Sequence, residues 1–138
     1  IDSIKDKFGK NPNFIFEDGV IPSEYFHNSI CMISDWSGIS MEYAFTCERS
    51  VIFIDVPKKI LNPDANDLSL EPIEISLRNK IGHIVSPENI ENIPTIIKNF
   101  ENDVPNFSQQ IKEIRANIVF NVGNSAPIGA KYIQNLVS

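Results

Sequence analysis

The stretch Ile30-Cys31-Met32-Ile33-Ser34-Asp35-Trp36-Ser37-Gly38-Ile39-Ser40-Met41-Glu42-Tyr43-Ala44-Phe45-Thr46-Cys47-Glu48-Arg49-Ser50-Val51-Ile52-Phe53-Ile54 decides the fold. Its first four residues are an unbroken apolar run, the pattern of a parallel strand covered on both faces. Ser34 to Gly38 carry turn chemistry. Ile39 to Cys47 read as a helix that offers Ile39, Met41, Ala44 and Phe45 for packing. Val51 to Ile54 form a second apolar run, ended by Asp55 and Pro57. Strand, helix and strand within about 25 residues make the crossover unit of an α/β sheet.

Toward the amino terminus, residues 2–8 read as a short helix ended by Gly9 and Pro12. Phe14-Ile15-Phe16-Glu17 reads as a strand, with Asp18-Gly19 as its turn. Pro22 suits a first helical position, so a short helix is expected over 22–27. Toward the carboxyl terminus, Pro57, Pro63 and Pro72, with Asn62, Asp64, Asn66 and Asp67, read as a long surface loop over 56–80. Ile81 to Val85 should be the last strand. Ser86-Pro87-Glu88 then supplies an N-cap, a first-turn proline and an acidic residue at a helix start. That helix should reach Phe100, with Pro94 as a potential kink. Further helices are expected over 106–117 and from a Ser125 cap through Leu136, joined by a loop at 121–124.

The chain has 138 residues, 42% of them hydrophobic and 22% charged, which sets an expectation of one globular domain over 1–138. Twelve basic residues against eighteen acidic ones leave a net charge of -6. That balance excludes a general nucleic-acid binder, whose phosphate contacts need a basic face. It leaves room for one small anion site made of backbone amides. Cys31 and Cys47 are too few for a disulfide scaffold and fit a reducing, cytoplasmic setting. No run approaches the roughly 18 apolar residues of a spanning helix. The first residues lack the basic and apolar regions of a signal peptide. The chain opens without Met and directly into a helix pattern, which reads either as a fragment of a longer protein or as a processed or trimmed chain.

In open α/β sheets, ligands bind beyond the carboxyl ends of the strands. Ser34 to Gly38 lie at such an end and open a helix. Helix amino ends present unpaired N–H groups and a partial positive charge, so they can hold a phosphate without a lysine. Ser37 adds a hydroxyl donor, and Gly38 removes the side chain that would keep a phosphate from the backbone. Glu42, about one turn on, suits the vicinal hydroxyls of a ribose. The plainer reading is capping alone, with Asp35 as the cap and Glu42 as a solvated helix residue.

Trp36, the only tryptophan, reads either as packing against a neighbouring loop or as a wall for a ligand. Arg78 and Lys80 read first as a solvated face, and Arg78 second as a phosphate contact. Lys58-Lys59 reads as a surface pair; against anionic lipid it would contribute only about 2 kcal/mol, enough for at most a peripheral association. His27 reads as a helix-end cation and His83 as a strand residue. Neither has a ligand partner at metal spacing, so no metal and no cofactor are expected. Cys31 reads as a core residue, and nothing marks Cys47 as a nucleophile.

Ser34-Asp35-Trp36-Ser37-Gly38-Ile39-Ser40-Met41-Glu42-Tyr43-Ala44-Phe45, followed by Ser50-Val51-Ile52-Phe53-Ile54-Asp55, resembles the carboxyl-terminal half of the CDP-glycerol glycerophosphotransferases, enzymes of teichoic-acid-like and capsular polymers. The resemblance extends from Phe14 to the last helix and includes Gly82 and Asn124-Ser125-Ala126. The same region looks like the nucleotide-binding half of other two-domain glycosyltransferases and of UDP-N-acetylglucosamine 2-epimerases. Glu48-Arg49-Ser50 departs from the family, where a basic residue and proline are usual.

The resemblance implies a Rossmann-like, mainly parallel sheet flanked by helices, part of a GT-B type carboxyl-terminal domain. It implies that Ser37 and Gly38 contact the donor pyrophosphate. Asp35 would orient the loop or touch the glycerol phosphate, Glu42 would hold the ribose, and Arg78 would meet phosphate charge. The family's histidine–proline motif and its acceptor-binding amino-terminal half are absent, which fits a fragment unable to catalyse alone. A polymer or lipid-linked acceptor would be bound by that half. The resemblance also places strands from before Ile1 between the Phe14–Glu17 and Ile30–Ile33 strands. The alternatives are a nucleotide-sugar glycosyltransferase or epimerase, and a non-enzymatic α/β interaction module.

Overall fold

Val51, Ile52 and Phe53 are almost wholly excluded from water, and the sheet is built around them. A computed structural model describes residues 1–20, 22–58 and 71–137. Among these residues a single three-stranded sheet is present, with β1 (Met32–Ser34), β2 (Val51–Ile54) and β3 (Gly82–Val85) in the order β1-β2-β3. All pairings are parallel, with Ile33 beside Ile52 and Ile52 beside His83. The helices are α1 (Asp2–Phe8), α2 (Ser23–Asn28), α3 (Ile39–Cys47), α4 (Ile73–Ser76), α5 (Arg78–Ile81), α6 (Ile93–Asn102), α7 (Val104–Ile118) and α8 (Ser125–Val137). The class is therefore α/β, a small parallel sheet flanked by helices.

Side chains alternate across β2, and each face gains its own cover. Val51 and Phe53 pack with Met41, Tyr43 and Ala44 of α3, with Leu77 and Ile81, and with Ile111 of α7. Ile52 packs on the other face with Val85 and Phe100, supported by Ile96 of α6 and Phe107 of α7. Each such side chain contributes about 1.5–3 kcal/mol when fully buried, so β2 anchors both layers.

Several sequence expectations are corrected here. Phe14–Glu17 is not a strand, because the segment has no ladder partner among the described residues, and Ile15 is exposed. The strand read as Ile30–Ile33 is displaced to Met32–Ser34 and lies at a sheet edge. Ile33 consequently remains 51% exposed, rather than covered on both faces. The segment read as one loop over 56–80 is partly helical, since Leu77 and Ile81 are drawn into the core by α4 and α5. Residues 59–70, including Lys59 and Pro63, lie outside the described residues.

Ser86 does cap the next element, accepting from the Glu88 N–H. That element is a 3₁₀ turn over Pro87–Asn92, and Pro94 sits in the first turn of α6, where it removes no helix bond. At the carboxyl terminus Asn124, not Ser125, precedes the helix, and its carbonyl accepts the Ile128 N–H.

Gly82 is required by space. A Cβ there would lie 2.0 Å from the Val51 carbonyl oxygen, because α5 enters β3 directly against β2.

Candidate functional site

The turn Asp35-Trp36-Ser37-Gly38 leaves the carboxyl end of β1 and opens α3. Its helix ladder begins with the Ser40 N–H, donated to the Ser37 carbonyl at 3.2 Å, and the Met41 N–H, donated to Gly38 at 3.0 Å. The N–H groups of Gly38 and Ile39 stand ahead of that ladder. Ser40, buried, donates its hydroxyl to the same Ser37 carbonyl at 2.6 Å and so tightens the turn. Ser40 was not singled out from sequence; a serine on an otherwise packing face of the helix was the available signal.

No side chain caps α3. The capping role read for Asp35 is thus not what this turn uses; Asp35 is exposed beside it. Gly38 has φ -60 and ψ -27, which any residue adopts, and a Cβ there would meet nothing within 4 Å. Neither backbone nor packing therefore requires glycine at 38. Glu42 is exposed one turn along, on the same stripe as Gly38 and Thr46, opposite the buried Ser40, Met41, Tyr43 and Ala44. Ser37 is half-buried.

Trp36 is tied down by an indole N–H donated to the Val56 carbonyl at 2.8 Å, so its packing partner is the end of β2. Arg78 is not a solvated residue. Its side chain is 4% exposed, and its guanidinium carbon lies 3.7 Å from the centre of the Trp36 ring. Nη1 donates to Asp55 at 3.1 Å and Nη2 to the Ile54 carbonyl at 3.3 Å. Asp55 and the carbonyls of 54 and 56 are site components that sequence reading missed, because their partners lie twenty or more residues away.

The turn carries Asp35, Trp36, Ser37 and Gly38, Glu42 follows one turn into α3, and the Arg78 guanidinium lies against the Trp36 ring. Chemically, the Gly38 and Ile39 N–H groups ahead of the ladder and the Ser37 hydroxyl are donors, while the exposed Asp35 and Glu42 can accept from hydroxyls. Arg78 is neutralised by Asp55, so positive potential at the turn comes from the helix end. His27 lies elsewhere, its Nδ1 4.0 Å from the Cys47 sulfur, and His83 is exposed in β3. Burial pushes the thiols of Cys31 and Cys47 up, away from the thiolate.

Residues 35–38 line neither of two cavities among the described residues: one, of about 160 Å³, is lined by His83, Ser86, Asn89, Asn92 and Ile96, and the other by Ser50, Phe100 and Phe107. Among the described residues no cluster of three His, Cys, Asp or Glu could hold a metal. No helix among them is long and apolar enough to cross a membrane.

Comparison with models of protein families, with curated proteins and with solved structures finds no match.

Proposed function

We propose that this chain is the donor-binding domain of a CDP-glycerol glycerophosphotransferase-like enzyme of surface-polymer synthesis, with a Rossmann-like sheet of the GT-B carboxyl-terminal type. The observation that carries the reading is the pairing of Gly38 and Glu42. A glycine that the fold itself does not require leaves open space at a helix amino end, and a carboxylate stands one turn along the same exposed stripe. Diphosphate oxygens accept from the Ser37 hydroxyl and the amides of Gly38 and Ile39. Glu42 accepts from the ribose hydroxyls, Asp35 faces the glycerol phosphate, and Trp36 walls the site.

The reaction is attack by an acceptor hydroxyl on the donor β-phosphorus. A new P–O bond forms, the bond to CMP breaks, and glycerol phosphate is transferred. This chain supplies position and charge stabilisation as negative charge grows on the leaving phosphate. The acceptor and the general base belong to another part of the enzyme, so the chain by itself binds without turning over. Its setting is the cytoplasmic side of the membrane, at most peripherally attached.

Calorimetric titration of the chain with CDP-glycerol, CMP and a UDP-sugar tests the assignment. Binding of both cytidine compounds, with the UDP-sugar weaker, is expected. Preference for the UDP-sugar moves the chain to the glycosyltransferases or epimerases. Silence with all three leaves an interaction module whose turn holds no nucleotide.

A further inference from the structure

Trp36 and Arg78 come from separate parts of the chain, the turn after β1 and the start of α5, and both are fastened to the end of β2. The Ile54 carbonyl and the Asp55 carboxylate take two donors of Arg78, and the Val56 carbonyl takes the indole N–H. The guanidinium also lies 5.1 Å from the Phe53 ring centre, and its Nε–H has no partner among the described residues. Burying an arginine this deeply is costly unless its charge is paired and its donors are hydrogen-bonded. Asp55 offsets only part of that cost, because its side chain is 53% exposed.

Because Arg78 is hidden, whatever part of Trp36 meets water is the ring's edge or its other face. A cation on one face of an indole draws π density toward itself. The opposite face then suits a neutral flat heterocycle better than another cation. Trp36 also directly precedes Ser37 in the chain, so a shift of its backbone moves the Ser37 hydroxyl and the Gly38 amide.

We propose that Arg78 is a positioning residue for the ligand turn. It holds Trp36 so that the indole face turned away from the guanidinium stacks on the nucleobase while the amides stay aimed at the phosphates, and it makes no contact with the ligand itself. This rests on the nucleotide reading above and replaces a direct phosphate contact by Arg78.

Trp36 is the only tryptophan, so intrinsic fluorescence reports on this one ring. The full chain and its Arg78→Met, Arg78→Lys and Asp55→Asn variants are compared by acrylamide quenching and by CMP titration at several salt concentrations. Arg78→Met keeps an apolar contact against the ring; it removes a donor from Asp55, which is half-exposed, and from the Ile54 carbonyl, which still accepts the Val56 N–H. Asp55→Asn removes a carboxylate from the surface, so it reads the same link with little risk to folding. Quenching should rise about twofold in Arg78→Met and less in the other two variants. CMP affinity should fall about tenfold in Arg78→Met, with Arg78→Lys recovering part of it, as expected for a lost cation–π contact and a misplaced turn.

The slope of affinity against salt should match the wild-type slope in every variant, since Arg78 does not touch the anion. A shallower slope in Arg78→Met makes Arg78 a phosphate ligand and overturns the proposal. So does unchanged quenching with unchanged affinity in Arg78→Met and Asp55→Asn. A wild-type chain that binds no nucleotide removes the parent reading and this inference together, and is recognised by its silence before any variant is made.

Discussion

Arg115 of α7 grips Glu48 at the end of α3, with its Nη2 2.9 Å from Oε1. Lys112 and Ser108 of the same helix reach Oε2 at 3.1 and 3.2 Å. Partial burial works to raise the Glu48 pKa, but the combined donation from Lys112, Arg115 and Ser108 outweighs it and holds the carboxyl below its ordinary 4.5. A carboxyl depressed in the folded state stabilises above its unfolded pKa, and that stability is lost as pH falls through the folded value. Thermal melts should therefore be insensitive to this group from pH 7 to about 5 and lose its contribution below about 4.5. Glu48→Gln should cost about 1 kcal/mol at pH 7 and flatten the acid limb. An acid limb identical to wild type would show that the clasp contributes nothing.

Gly82→Ala should be among the most damaging single changes. Its Cβ meets the Val51 carbonyl, which is backbone and cannot swing away. Separating β3 from β2 should cost about 3 kcal/mol, read as a lower midpoint in urea. A midpoint within error of wild type would mean that the two strands part freely.

Ser50→Ala should leave stability unchanged or raise it by about 1 kcal/mol. The Ser50 hydroxyl is buried at the start of β2 with no partner among the described residues, so its removal relieves a desolvation cost without losing a hydrogen bond. A clear loss in chemical denaturation would reveal a partner for that hydroxyl, such as a water held in the adjoining cavity.

Gly38→Ala and Glu42→Ala separate folding from binding. Both positions are exposed, and a methyl at 38 meets no neighbour, so neither should move the melting temperature by more than about 2 °C. Nucleotide affinity should fall about tenfold in each, in Gly38→Ala because the methyl stands where the phosphate approaches. Unchanged affinity in both variants would clear the turn of any part in binding.

Removal of residues 125–137 should leave the melting temperature within about 2 °C of the full chain, since none of the residues of α8 is buried. Calorimetry of the shortened chain checks this, and a fall beyond about 5 °C would place the exposed stripe of Ile128, Tyr132 and Leu136 in a stabilising contact.

The elements legible in the sequence were those carried by local signals. The apolar run at Val51–Ile54, the turn before Ile39, and the Ser86-Pro87-Glu88 start each need only their neighbours to form. Phe14–Glu17 has strand residues but pairs with no strand among the described residues, and composition does not show whether a segment finds a partner. The Ile73, Leu77 and Ile81 spacing of four was a helical signal, obscured by the prolines and polar residues read as one loop with it. Arg78 misled for a different reason. Arginine is ordinarily a surface residue, and only the convergence of Trp36, Phe53 and Asp55 makes its burial tolerable. The turn at 35–38 was readable as a chemical pattern; its fastening to Val56 was not.

Helix α7 has a mechanical consequence. Ile111 sits in the packing on one side of the sheet and Phe107 in the packing on the other, so one rod rivets both halves. Neither half can melt while its counterpart survives, because loosening the rod robs both at once. Heat should unfold the sheet in one cooperative step, with the slowest amide exchange along β2 and the middle of that rod.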